Sequence, residues 1–191
     1  MARATLASII TIVRGLVNDT AGAGQIFTDD EIQAALDARR DEARYVKMNE
    51  KPTIASGGQV SFLTYDAPVG MWEDGVVIVN QSFAVQTPLT TDLINGRWTF
   101  TTQPLYPIMM VGFTHDVWGA SADILREWSR RESLAFDVSA NGTGLQRSQK
   151  ATMLQDRATE YLAKARTRSS DLVRTDEQTD PRPTFADAYP Y

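Results

Sequence analysis

The feature that most constrains this chain is a change after residue 50 from helical apolar spacing to short β-branched runs separated by turn-forming pairs. Residues 52–112 contain the pairs Gly57-Gly58, Asp74-Gly75 and Asn95-Gly96, separated by short runs rich in Val, Ile, Phe and Thr. Such pairs between short β-branched runs are typical of hairpin turns. The sequence therefore predicts a β-rich insertion over residues 50–112. Its predicted strands are Val60 to Tyr65, Val76 to Asn80, Ser82 to Thr87, Arg97 to Thr102 and Ile108 to Phe113.

Helical periodicity dominates the residues before the insertion. Apolar residues from Leu6 to Val17 recur at helical spacing and predict a first helix, which ends at the turn-rich residues 18–24. A second helix should begin after Thr28, because Thr28 and Glu31 have the spacing of a capping box. We expect this helix to continue to about Asn49 and to bury one apolar face, formed by Ile32, Ala35, Leu36, Ala43 and Val46.

Two more helices are predicted after the insertion. The third begins at Asp116 and continues to about Ala135, and the last runs from about Ser148 to about Arg166. The fold class expected is α+β. A four-helix scaffold, residues 1–49 and 113–166, is interrupted by the β-rich insertion and followed by an extended C-terminal tail, residues 167–191.

The predicted tail has a composition unlike the rest of the chain. Prolines and acidic residues are frequent, and the apolar residues are too sparse and aperiodic to form a helix or strand. Ordering a backbone costs about 1–2 kcal/mol per residue, so an ordered tail needs contacts with another subunit. Its aromatic residues, Phe185, Tyr189 and Tyr191, are the predicted anchors. Four arginines are further candidates for subunit interfaces: Arg130, Arg131, Arg166 and Arg168.

The sequence offers little material for catalysis. It has no cysteine and one histidine, His115, which excludes two-histidine metal sites and has no nucleophile elbow to accompany it. We expect His115 to be a packing or helix-start residue. The acidic run Asp29-Asp30-Glu31 is explained by helix capping and needs no metal. The prediction is a protein that is not an enzyme, with no catalytic, cofactor or metal site.

Charge and apolar patterning narrow the possible partners. A net charge of −5 argues against general coating of nucleic acid, and no apolar run is long enough to span a membrane. A signal peptide is not expected, because the N-terminal apolar run lacks a small-residue cleavage site. Trp72 and Trp98 leave an alternative open, a surface or carbohydrate-binding module that uses the β-rich insertion. Exposure of the two indoles would decide it.

Three stretches of the helical part carry a resemblance to a known family. They are Val17 to Thr20 with Ile26 to Gln33, then Asp116 to Trp128, then Phe136 to Ser139 with Arg147 to Lys150. In this order, with an insertion of variable size between the second and third helices, they resemble the head–tail connector proteins of tailed bacteriophages. These are also called adaptor or head-completion proteins.

The resemblance implies an assembly role. Such proteins form a homo-oligomeric ring of about twelve copies beneath the portal protein. The ring links the capsid vertex to a downstream tail or stopper protein. Double-stranded DNA passes through without sequence-specific binding, and an acidic or neutral channel wall would let it slide. The implied location is the head–tail interface of the virion, after assembly in the host cytoplasm. The implied role of the C-terminal tail is to reach into the portal.

Overall fold

A computed structural model of the chain describes residues 2–54, 58–134, 138–140, 143–145 and 147–166. Over these residues the protein mixes helices with antiparallel sheets and belongs to the α+β class. The predicted tail 167–191, with Arg168, Phe185, Tyr189 and Tyr191, lies outside the described residues.

The helices of the described part share one hydrophobic core. Their bounds are Ala7–Val17 (α1, preceded by a 3-10 turn at Ala4–Leu6), Asp29–Ala38 (α2), Val117–Ser133 (α3) and Arg147–Lys164 (α4). The core takes Ile9 and Val13 from α1, Ile32 from α2, Leu125 from α3 and Ala158 from α4. None of these helices is both long and apolar enough to cross a membrane.

Nine strands form the sheets of the described part. They are Arg40–Lys47 (β1), Asn49–Ile54 (β2), Val60–Asp66 (β3), Val77–Val79 (β4), Thr90–Asp92 (β5), Arg97–Thr99 (β6), Met109–His115 (β7), Val138–Ala140 (β8) and Thr143–Leu145 (β9). The first sheet has the order β1-β7-β4 and the second β2-β3-β6-β5, while β8 and β9 form a separate hairpin. A second core of Tyr65, Trp72, Ile78, Trp98 and Met110 lies among the two larger sheets.

The expectation that the second helix continues to Asn49 is wrong. The capping box is present, since the Glu31 amide donates to Thr28 Oγ1 at 3.2 Å and the Thr28 amide donates to Glu31 Oε2 at 2.7 Å. The helix nevertheless ends at Ala38, and the residues that follow pair with β7 as strand β1. Ala43 and Val46 consequently pack on the second core rather than on the helical core.

Several predicted β elements are confirmed and others are wrong. The run from Val60 forms β3, and Asn95-Gly96 turns the chain from β5 to β6, where Gly96 has the positive φ of +68° that this turn needs. Asp74-Gly75 does not join two paired strands. The strand predicted over Ser82 to Thr87 is reduced to one bridge between Val79 and Val85.

Candidate functional site

A cluster of polar and charged side chains joins the helical part to the first sheet, and Glu73 and His115 are its buried members. It is called the polar junction here and consists of Arg3, Thr5, Arg40, Glu73 and His115. Glu73 lies at its centre. Its carboxylate accepts from Arg3 Nε at 3.0 Å and from Thr5 Oγ1 at 2.9 Å, and Arg40 Nη2 lies 3.1 Å away. The junction thus ties the N-terminal turn, β1 and the end of β7 to one carboxylate.

His115 is the most enclosed member of the polar junction, with no exposed surface. Its Nδ1 lies 3.2 Å from the Leu36 carbonyl oxygen and its Nε2 lies 3.3 Å from Glu73 Oε2. Both ring nitrogens therefore have a polar neighbour within the chain. A histidine enclosed in this way serves as a packing residue, because no substrate can reach either nitrogen.

The surroundings of Glu73 decide its charge. Burial alone would raise the pKa of Glu73, but hydrogen bonds from Thr5 and His115 and the positive charges of Arg3 and Arg40 together lower it below its ordinary value. Glu73 is therefore ionised at neutral pH and balances the cations around it. Sequence reasoning missed this role, because the partners of Glu73 are 33 to 70 positions away.

Arg166 closes an open pocket of about 410 Å³ where α4 ends against the sheet. Its amide donates to Asp116 Oδ2 at 3.2 Å, and its guanidinium donates to the Gly70 carbonyl at 2.9 Å and to Thr114 Oγ1 at 3.0 Å. Asp116 Oδ1 accepts from the Gly119 amide at 3.1 Å and so caps α3. This predicted interface arginine is thus committed within its own chain, where it fixes the point from which the tail departs.

The other two described arginines differ from each other. Arg131 Nη2 donates to Glu31 Oε1 at 2.8 Å, and its guanidinium lies 4.7 Å from the centre of the Phe27 ring. The hydrogen bond from Arg131, followed by that from the Thr28 amide, lowers the pKa of Glu31 to about 2. Arg130 is more exposed and pairs with Glu127 on its own helix at 2.6 Å. Of the two, Arg130 is the better placed to meet another subunit.

The two tryptophans of the carbohydrate-binding alternative are buried. Trp72 and Trp98 are each 1% exposed, and their rings meet edge to face with centroids 6.2 Å apart. Trp72 Nε1 donates to the Val69 carbonyl at 2.7 Å. Neither ring can therefore stack on a sugar, which removes the observation that motivated this alternative. Within the described ranges, no group of three or more His, Asp or Glu side chains is placed to hold a metal ion.

An exposed apolar surface lies on the first sheet and is called the outer face here. It consists of the exposed residues Tyr45, Val77, Phe83 and Val85 and the half-buried Val111. Val77 pairs with Val111, and both project away from Ile78 and Met110, which enter the second core. The rings of Tyr45 and Phe83 meet edge to face with centroids 5.6 Å apart. Sequence reasoning missed this surface, because local patterns predict a helix at Tyr45 and a strand at Phe83.

Comparison with protein-family models, with curated proteins and with solved structures found no match to this chain.

Proposed function

We propose that this chain is a structural subunit of a tailed-bacteriophage virion, a head–tail connector that forms a ring beneath the portal protein. In this role about twelve copies surround the DNA channel. One side of the ring binds the portal, and the other receives a downstream tail or stopper protein. In this role the protein acts through its binding surfaces and not through a catalytic site.

One observation carries the proposal, the position of the exposed large apolar side chains. Among the described residues, nine of twelve lie between positions 40 and 112, and three lie in the helical part: Ile26, Leu134 and Met153. Scattered exposed apolar residues are ordinary, but a concentration in one part of a molecule marks a protein-binding surface. An assembly subunit needs such surfaces, and an isolated monomer does not.

The chemistry of the described part agrees with an assembly role. The histidine is enclosed between two acceptors, and the arginines at positions 3, 14, 39, 131 and 166 are engaged by acceptors of the same chain. Arginine side chains that are paired within the chain are less available to bind the phosphates of DNA. This supports a channel through which DNA moves without being bound tightly.

The proposal is tested by mixing the full-length chain with purified portal rings and measuring the mass of the product by native mass spectrometry. We expect a complex of fixed stoichiometry. A chain that lacks residues 167–191 should not form it, although its circular dichroism should match that of the full-length chain. Binding retained by the truncated chain would remove the tail from the portal contact, and no complex with either chain would contradict the connector role.

A matched variant separates the aromatic anchors from the length of the tail. The triple variant Phe185→Ser, Tyr189→Ser and Tyr191→Ser leaves all 191 residues in place. We expect this full-length variant to lose portal binding as the truncated chain does.

A further inference from the structure

We propose that the outer face of one copy is the docking site for residues 184–191 of a second copy. This inference rests on the proposed function, because it assumes a ring in which neighbouring copies touch. It names the surface and the segment that make the contact between copies. In this account, losing the tail prevents portal binding because the ring no longer assembles, and the tail itself need not touch the portal.

Two members of the outer face have unusual backbone conformations. Tyr45 has φ +52° and Phe83 has φ +59°, in the left-handed region that residues other than glycine rarely adopt. Tyr45 lies at the register shift of β1, and the Phe83 amide closes a turn by donating to the Asn80 carbonyl at 2.9 Å. The two residues are 56% and 62% exposed. The fold thus presents two aromatic rings, in contact with each other, to the outside.

The geometry of the sheet edges favours docking on a face rather than strand addition. Strand β1 is an edge of the first sheet, and its register shifts between Ala43 and Val46, which disturbs its free ladder. Strand β2 is an edge of the second sheet and contains Pro52, which has no amide hydrogen to donate. Bulges and prolines are the usual means by which edge strands resist pairing with another chain.

The segment 184–191 complements the outer face in pattern and charge. In an extended chain Phe185, Asp187, Tyr189 and Tyr191 share one side, because side chains alternate between two sides. Three aromatic rings on that side match an apolar and aromatic surface. Lys47 pairs with Met109 beside the outer face, and its ammonium is a suitable partner for the Asp187 carboxylate.

The path of the chain allows the segment to reach another copy. Arg166 is fixed on Thr114, whose side chain projects from the first sheet on the side opposite to Val111. Eighteen residues separate Arg166 from Phe185. Fully extended they span roughly 60 Å, at about 3.3 Å per residue. That length is enough to leave one small domain and cross the surface of the next.

The absence of cysteine from the chain makes a clean cross-linking test possible. Full-length chains with Ser82→Cys, next to Phe83, are mixed with differently tagged full-length chains with Ala188→Cys. Portal rings are added and the mixture is oxidised mildly. We expect a disulfide between the two tagged chains, read on a non-reducing gel. Ser8→Cys, an exposed serine of α1, replaces Ser82→Cys in the matched control and should give about tenfold less product if docking on the face is specific.

A second pair of variants tests the face itself. Tyr45→Ser with Phe83→Ser should lower the yield of the Ser82→Cys product about tenfold. Leu89→Ser should not, because Leu89 is apolar and exposed but lies just before β5 of the second sheet. A further full-length chain carries both Ser82→Cys and Ala188→Cys. A disulfide within that chain, with none between the two single-cysteine chains, would overturn the exchange between copies. Equal yield from Ser8→Cys, or no product at all, would overturn the docking site. If portal binding is normal in the same mixture, the connector role survives that failure.

Discussion

At the scale of single residues, the charged side chains of the described part mostly hold the chain together. Arg14 illustrates the pattern. It is buried, with Nη1 donating to Asp19 Oδ2 at 3.0 Å and Nη2 donating to Asp29 Oδ1 at 2.6 Å and to the Phe27 carbonyl at 2.9 Å. One guanidinium thereby fixes the turn from α1 to α2. Many of the charged residues therefore form specific ion pairs within the chain. Which residues pair cannot be predicted from the sequence without the fold.

Glu73→Gln tests whether the polar junction stabilises the fold. The substitution keeps the size of the side chain but leaves Arg3, Arg40 and His115 without their shared negative charge. We expect the free energy of unfolding in urea to fall by about 2 kcal/mol at neutral pH, because two arginines that are about one third exposed lose a buried carboxylate partner. Glu160→Gln is the control, since its pair with Lys164 is exposed and its loss should leave the free energy of unfolding nearly unchanged.

The pH dependence of that difference follows from the lowered pKa of Glu73. A carboxyl group with a lowered pKa stabilises the fold above its unfolded pKa, and the contribution is lost as pH falls through the folded value. The gap between the wild type and Glu73→Gln should therefore narrow in acid. A gap that widened in acid would contradict this assignment of charge.

Glu31 offers a direct measurement at the contact between α2 and α3. Its pKa of about 2 depends first on the hydrogen bond from Arg131. In Arg131→Ala the side-chain carboxyl, followed by carbon-13 NMR, should titrate closer to the ordinary value of about 4.3. Arg130→Ala is the control, because Arg130 pairs with Glu127. If Glu31 already titrates near its ordinary value in the wild type, the ion pair across the two helices is not formed in solution.

At the scale of elements, local signals predicted the helix starts well and one helix end badly. Caps and apolar spacing are local, so the box at Thr28 and the start of α3 after Asp116 could be found from sequence. The segment from Arg40 to Lys47 contains good helix formers, yet it pairs with β7, about 70 positions away. The strand pairing with β7 outweighs the helix propensity of this segment. A distant pairing partner of this kind cannot be predicted from a local sequence pattern.

Asp116→Ala tests whether one carboxylate couples the start of α3 to the end of α4. The loss of the cap to Gly119 should cost about 1 kcal/mol. The loss of the acceptor for the Arg166 amide should also raise hydrogen exchange at that amide. Asp116→Asn keeps an acceptor for the cap but can present an NH₂ group to Arg166. It should therefore preserve most of the stability while exchange at Arg166 still rises. Unchanged exchange in both variants would show that α4 ends independently of Asp116.

At the scale of the whole molecule, the α+β class could be predicted because segments with helical apolar spacing alternate with segments rich in turn residues. The burial of an apolar stripe along α3 could be predicted in the same way. The outer face could not, because its members come from β1, β4, β7 and the turn after β4. Only the pairing of distant strands brings Tyr45 next to Phe83. The ring and its partners remain a proposal, supported by the exposed apolar surface and by the resemblance of the helical stretches.

The central claim, that this chain is a connector subunit, is tested most directly by single-particle imaging of the full-length chain mixed with portal rings. The account predicts a closed ring of about twelve copies seated on the portal, with an open central channel. Averaged images that show portal rings alone, with the chain free in solution at saturating concentration, would contradict it.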